Sequence, residues 1–270
     1  MTAQEKLDIQ LSAGRHIAVG LDTDISKIPL FLHSSEKDPV FEFNKIIIDN
    51  TCEHAASYKI NFAFYEKDGQ AGCETLQKTI DYIPKDKFII GDAKRGDIGN
   101  TSRMYAYSLY SHFDLDSATL HPYMGFDSVE PFLEYRDKIS FILALTSNGS
   151  SSDFEKLRLE GGEFLFQRVI KKAHEWNAAQ NCGIVFGATN KDELEMNIGS
   201  FGNMYVLLPG VGAQGGSLED VTRIFKSNNN NKFLVNVSRS LLYGDHSENF
   251  GQFAKKEIVS LNNTVQNILQ

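Results

Sequence analysis

The stretch FIIGDAKRGDIGNT, residues 88–101, opens as an apolar, β-branched run and closes on alternating charges. A short apolar run bounded by turn formers reads as a buried strand. Working outward, seven more runs of this kind complete a set at 16–22, 55–61, 87–94, 117–122, 140–147, 182–189, 204–210 and 232–238. Between them apolar residues recur at helical spacing, as in 41–54, 101–113, 163–179 and 218–226. Strict alternation of strand and helix predicts parallel strands joined by right-handed crossovers. Eight such units closing on themselves predict an α/β protein of the (β/α)8 TIM-barrel type. The competing arrangement is a doubly wound open sheet.

The chain has 270 residues, and a barrel of this kind typically has about 250. No composition shift marks a boundary, so residues 1–270 are expected to form one barrel domain. The run SNNNNK at 227–232 reads as a surface loop, and the Ser/Gly-rich 147–153 as a mobile loop over a site. With 41% hydrophobic and 23% charged residues the chain is not disordered. Its apolar runs, such as Phe141 to Leu145, fall far short of the roughly 20 residues that span a bilayer. The start, MTAQEKLDIQ, lacks a basic segment followed by an apolar core, so a cytoplasmic location is expected. A net charge of −8 and the absence of any Lys/Arg run beyond a dipeptide argue against nucleic acid as a partner. A small anion would need a local positive site against this field. The three cysteines, Cys52, Cys73 and Cys182, are widely spaced and read as free thiols. The seven histidines match no zinc motif, so no metal site is expected.

In a TIM barrel the active site lies at the C-terminal ends of the strands. Charged or hydroxyl residues stand at six of the eight predicted ends, among them Asp22, Lys59 with Asn61, Asp92 with Lys94, Thr146 with Ser147, and Ser238 with Arg239. Strand side chains alternate faces, so Asp92 and Lys94 are expected to point inward together. Asp97 follows in the loop, and Lys59 approaches from the next strand. Interleaved cations keep crowded carboxylates ionised and offer Lys94 as a proton donor to a carbanion. Asp92 would also repel a substrate carboxylate, by about 4 kcal/mol at 4 Å for an effective dielectric of 20. The same residues are compatible with a salt-bridge network that merely plugs the barrel mouth.

The seventh strand end reads LLPGVGAQGGS, in which residues 210–215 formally match G-x-G-x-x-G. A dinucleotide fingerprint would need an acidic residue at the next strand end, where Asn236, Val237 and Ser238 stand instead. The physical property survives: glycines let backbone N–H groups approach an anion, a following helix offers its positive end, and Gln214 adds a side-chain amide. Arg239, just after the eighth strand, suits bidentate phosphate binding, so the two loops read together as a phosphate clamp.

DAKRGDIGNT, with YKINFAFYE before it and LLPGVGAQGG and VSRSLLYG after it, resembles the orotidine 5′-monophosphate decarboxylase family, in the branch with a D-x-K-R-G-D-I third strand end. The likeness extends over all eight predicted strands. It implies decarboxylation of orotidine 5′-phosphate (OMP) to UMP in pyrimidine synthesis, with no metal and no organic cofactor. By the same resemblance Lys94 protonates C6, Asp92 sits beside the departing carboxylate, and Lys59 bonds ribose and the carboxylates. Asp97, with Ile98 and Thr101, would reach the site of a partner subunit, making a homodimer with shared active sites. Asp22 and Asn61 match ribose or site-wall positions, Thr146 and Ser147 the pyrimidine-reading loop, and Pro209 a border of the base. Gln214, Ser238 and Arg239 match the phosphate grip. Two positions depart from the pattern: Gly149 where proline is common and His121 where asparagine is frequent. Two other readings stay open on the residues alone. A magnesium-dependent sugar-phosphate decarboxylase or synthase would want an acidic ligand where Lys59 and Asn61 stand, and a non-catalytic nucleotide-binding barrel would not need Lys94.

Overall fold

A computed structural model gives the architecture and describes residues 1–35, 37–212 and 214–270. Eight parallel strands run in sequence order: β1 (Ile17–Gly20), β2 (Ser57–Asn61), β3 (Phe88–Arg95), β4 (Ser117–Leu120), β5 (Ile139–Leu145), β6 (Cys182–Phe186), β7 (Tyr205–Leu208) and β8 (Phe233–Val237). Each pairs with the next, and β1 closes on β8 through Ile17 opposite Val235 and Val19 opposite Val237. That closing seam excludes the open doubly wound sheet. The helices are α1 (Ala3–Ser12), α2 (Leu30–Ser35), α3 (Pro39–Thr51), α4 (Ala63–Glu66), α5 (Gly69–Tyr82), α6 (Gly99–Tyr107), α7 (Phe126–Leu133), α8 (Leu165–Trp176), α9 (Lys191–Asn197), α10 (Leu218–Ser227), α11 (Arg239–Leu242) and α12 (Phe250–Leu269). None of the described helices is long and apolar enough to cross a membrane.

Two apolar cores result. Inside the barrel, Ala18, Phe88, Ile90, Phe141, Val185, Leu207 and Leu234 form one buried cluster with Ala3, Leu7 and Leu11 of α1. So α1 closes the bottom. Thr2 caps it through a reciprocal pair with Glu5, and Lys6 Nζ stands 2.9 Å from the buried Asp116 carboxylate. Outside the strands, Val19, Tyr58, Ile60, Ile142, Ile184 and Val206 pack against the helix layer in a second cluster. A period of two thus divides each strand between the two cores. Followed upward, the inner parity turns from apolar to polar: Phe88 and Ile90 lead to Asp92, and Leu234 leads to Asn236.

Several expected boundaries shift. Most strands stop short, β1 at Gly20, β5 at Leu145 and β6 at Phe186, so Asp22, Thr146 and Ser147 stand on loops where no neighbour continues the ladder. The predicted helix over 101–113 starts earlier, as α6, and ends in a separate π turn at Ser108–His112. The opening α1 had a legible capping signature, Thr2 with Glu5, that the strand-led reading passed over. Along this stretch Tyr110 of the π turn is buried, whereas Tyr107 at the end of α6 is 59% exposed.

Candidate active site

The strand tops bring four expected residues into one connected array. Lys59, buried on β2, puts its Nζ 2.9 Å from Asp92 Oδ2 and 3.0 Å from Asp22 Oδ1. Lys94 Nζ reaches Asp92 Oδ1 at 2.7 Å. Thr119 of β4, a residue sequence reasoning missed, donates its hydroxyl to the same Oδ1 at 2.9 Å and accepts the Lys94 backbone N–H at 3.0 Å. Asp92 therefore receives three side-chain donors. Burial works against its charge, but Lys59 and Lys94 overrule it and hold the carboxyl well below the usual range. Burial likewise opposes the Lys59 charge, and Asp92 and Asp22 overrule it, holding the ammonium above its ordinary range.

Lys94 arrives by a route other than plain alternation. It has φ +46°, in the left-handed region, and the β3–β4 register shifts between Gly91 and Arg95. A bulge of this kind re-aims one side chain at a strand end. The conformation costs a non-glycine residue of the order of 1–2 kcal/mol, and the Lys94–Asp92 and Lys94–Thr119 bonds offset it. The ammonium stays half exposed, against 10% for the Asp92 side chain. It is thus the most open member of the array.

That space is a cavity of about 550 Å³ reaching from Asp92, Lys59 and Asn61 to Pro209, Gln214, Ser238 and Arg239. Thr146 and Ser147 line its side, and Ser147 donates to Gln214 Oε1 at 2.7 Å, joining the fifth and seventh strand loops. Thr146 is braced from behind by Glu155, which accepts its N–H at 2.7 Å and its hydroxyl at 2.8 Å. In the glycine-rich loop, Gly210 and Gly212 have φ +98° and +73°, and Gly210, Val211 and Gln214 face the cavity, while Ala213 lies outside the described residues. The helix after this loop, α10, meets its own N-terminus with a Ser217 cap and carries Glu219 and Asp220 in its first turn. Arg239 makes no ion pair among the described residues. Lys27, Asp24 and Tyr243 complete that end, with Tyr243 Oη accepting the Asp24 N–H at 2.8 Å and donating to Asp22 O at 3.1 Å. Four cations, Lys27, Lys59, Lys94 and Arg239, face three carboxylates, Asp22, Asp24 and Asp92, so this acidic protein presents a locally positive pocket.

Ser238 turns its hydroxyl to Asp22 Oδ2, at 2.9 Å. Asp97, Ile98 and Thr101 lie outside the cavity of their own chain. Asp97 accepts the Ile98 N–H at 2.8 Å, and Ile98 is exposed. Both departures from the family pattern fall outside the array. Gly149 has open space around it, and His121 packs over Gly96 in the loop that leads to Asp97. Among the described residues no three His, Cys, Asp or Glu side chains come together as a metal site. Thr119, Lys27, Asn236 and Tyr243 carried no motif signal. Only the inner-face alternation of β4 and β8 pointed to Thr119 and Asn236.

A sequence profile of the orotidine 5′-phosphate decarboxylase / HUMPS family matches residues 16–249. Orotidine 5′-phosphate decarboxylase of Porphyromonas gingivalis is 46% identical over 264 residues, covering 97% of this chain and 95% of that protein. Among solved structures, Leishmania donovani OMP decarboxylase superposes with a TM-score of 0.81 at 32% identity, covering 97% of this chain and all of the other. Leishmania donovani UMP synthase superposes with a TM-score of 0.88 at 33% identity. All of this chain is covered, and it spans 57% of that longer one.

Proposed function

The chain belongs to the orotidine 5′-phosphate decarboxylase / HUMPS family, and from that premise we propose that it converts OMP to UMP and CO2 at the mouth of its barrel. The observation that carries this reading is the unbroken run Asp22–Lys59–Asp92–Lys94, each contact 3.0 Å or shorter, at one end of a cavity whose other end holds Arg239.

With the nucleotide's phosphate at Gln214 and Arg239, the pyrimidine lies between Pro209, the Thr146–Ser147 loop and the array. The ribose hydroxyls lie at Asp22, Lys59 and Asn61. The substrate carboxylate is then set against Asp92, which its lysines keep ionised. At about 4 Å that repulsion is worth roughly 4 kcal/mol for an effective dielectric of 20. It is relieved as the C6–carboxyl bond breaks. The electron pair stays on C6, CO2 leaves, and Lys94 Nζ supplies the proton that makes the new C6–H bond. Solvent at the half-exposed Lys94 restores its proton. The interactions that hold phosphate and ribose are remote from C6, so their energy is available to hold the reacting end in place.

On the family resemblance the reaction needs no metal and no organic cofactor. Turnover of OMP, followed by its ultraviolet absorbance, is expected to be the same with and without excess EDTA. Loss of turnover in EDTA would favour a metal-dependent relative, and UMP binding without any turnover from pH 5 to 9 would favour a binding-only barrel.

A homodimer with shared sites fits the same picture. Asp97, Ile98 and Thr101 are presented away from their own cavity, and Ile98, Met104, Tyr107 and Tyr123 expose apolar surface around α6 and the loop after β4. An apolar patch of this kind is what a partner subunit would cover. One barrel domain over residues 1–270 is supported by α1 and α12, which belong to the same two cores as the strands. A cytoplasmic location suits a biosynthetic enzyme with free cysteines.

A further inference from the structure

Ser238 stands next to the candidate phosphate ligand Arg239, yet its hydroxyl is committed elsewhere. Ser238 Oγ donates to Asp22 Oδ2 at 2.9 Å, while Lys59 Nζ takes the other oxygen, Oδ1, at 3.0 Å. Asn236, one inward position earlier on β8, donates its Nδ2 to Ser238 Oγ at 3.3 Å. A hydroxyl has one proton, so Asn236 filling an acceptor site of Ser238 leaves that proton for the carboxylate. The seam between β1 and β8 is shaped for this contact. A Cβ at Gly20 would fall 1.9 Å from Ser238 Oγ, and only glycine at that β1 position leaves the hydroxyl its place.

We propose that Ser238 is a positioning residue for Asp22, acting on recognition of the nucleotide's ribose rather than of its phosphate. The proposal rests on the reading of this pocket as an OMP/UMP site. A carboxylate held at one oxygen only can swing about its side-chain torsions. Held at both, Asp22 keeps a fixed plane and offers its remaining lone pairs to a ribose hydroxyl at the cavity wall. The bond crosses the barrel's closing seam, so it also ties the β1 loop to the β8 loop.

Equilibrium binding of UMP and of 2′,3′-dideoxy-UMP to the full chain separates the two roles. Hydrogen bonds to charged groups are among the stronger ones, so Ser238→Ala is expected to weaken UMP binding about 10-fold. It should leave the dideoxy nucleotide nearly unaffected and should add no further loss in an Asp22→Ala background. Gly20→Ala, which displaces the same hydroxyl, should repeat that pattern. Equal losses for both nucleotides would make Ser238 a phosphate ligand and overturn the proposal. A ligand-free arm stands apart from the activity: the stability effects of Ser238→Ala and Asp22→Ala should be non-additive in the free protein, and strict additivity would also overturn it. Wild-type protein that fails to decarboxylate OMP while these couplings hold would refute the proposed function and leave the positioning role standing.

Discussion

The chemistry at residue scale turns on how Asp92 and Lys59 share charge. Each is buried, and each keeps its charge through the other together with a second partner, Lys94 for Asp92 and Asp22 for Lys59. The sign of the linkage follows from both directions. Asp92 has a depressed folded pKa, so its contribution to stability is present above the unfolded carboxyl value and is lost only as pH falls through the depressed one. Lys59 has a raised folded pKa, so its contribution is present below the unfolded ammonium value and is lost as pH rises beyond it. Between those limits Asp92 and Lys59 are both ionised. Lys94 is separable from this pair, because its ammonium is half exposed and only one of three donors to Asp92. Lys94→Ala is therefore expected to abolish OMP turnover while UMP binding remains measurable by calorimetry; retained turnover would remove Lys94 as the proton donor. Arg239→Ala is expected to raise KM far more than it lowers kcat, and steady-state kinetics with an unchanged KM would contradict the phosphate grip.

At the scale of elements, the β1–β8 seam is where the barrel closes and where a buried histidine makes its stability sensitive to acid. His16, just before β1, is fully buried and stacked on Phe233 of β8 with ring centroids 4.1 Å apart. Its Nδ1 meets Phe233 O at 2.9 Å, and its Nε2 has no partner among the described residues. Burial lowers its pKa to about 4, and the Phe233 carbonyl only partly opposes that. In the unfolded chain the imidazole takes its proton near pH 6.5. The seam's stability is thus complete above that pH and falls as pH drops towards 4, by up to roughly 3 kcal/mol. Denaturant melts of wild type and His16→Phe between pH 4 and 7.5 should show a shallower loss on acidification in the variant. Parallel curves would exclude His16 as the group responsible. The bulge in β3 is the other decisive element, since it presents Lys94 to the ligand space and is not visible in a strict period of two.

For the whole molecule, the proposed dimer would complete each site from two chains. Mixing Lys94→Ala with Asp97→Ala subunits is expected to restore part of the activity, because each mixed dimer regains one intact site. No recovery after mixing is verified by sedimentation or native mass spectrometry would exclude shared sites. The barrel itself was legible from eight apolar runs and the helical spacing between them, because burial against two cores writes its period directly into a strand. Its chemistry-bearing strand ends were legible for the same reason: Asp22, Lys59, Asp92 and Lys94 interrupt apolar runs where the inner core stops. Thr119 and Asn236 were legible only as inner-face positions and Tyr243 not at all, since a threonine, asparagine or tyrosine near a strand end has no motif of its own.

The sequence by itself determined the fold class, the end of the barrel that is polar, and Lys59, Asp92 and Lys94 as neighbours there, because hydrophobic periodicity and charge placement are local properties of the chain; it set Asp97 beside them, where the structure has Asp22. Only the tertiary structure decided which of those groups touch, that Ser238 serves Asp22 across the closing seam, and that a left-handed Lys94 braced by Thr119 delivers the ammonium. Hydrogen-bond partners tens to hundreds of positions apart, such as Ser238 and Asp22, are fixed by barrel closure and register, and no local pattern encodes them.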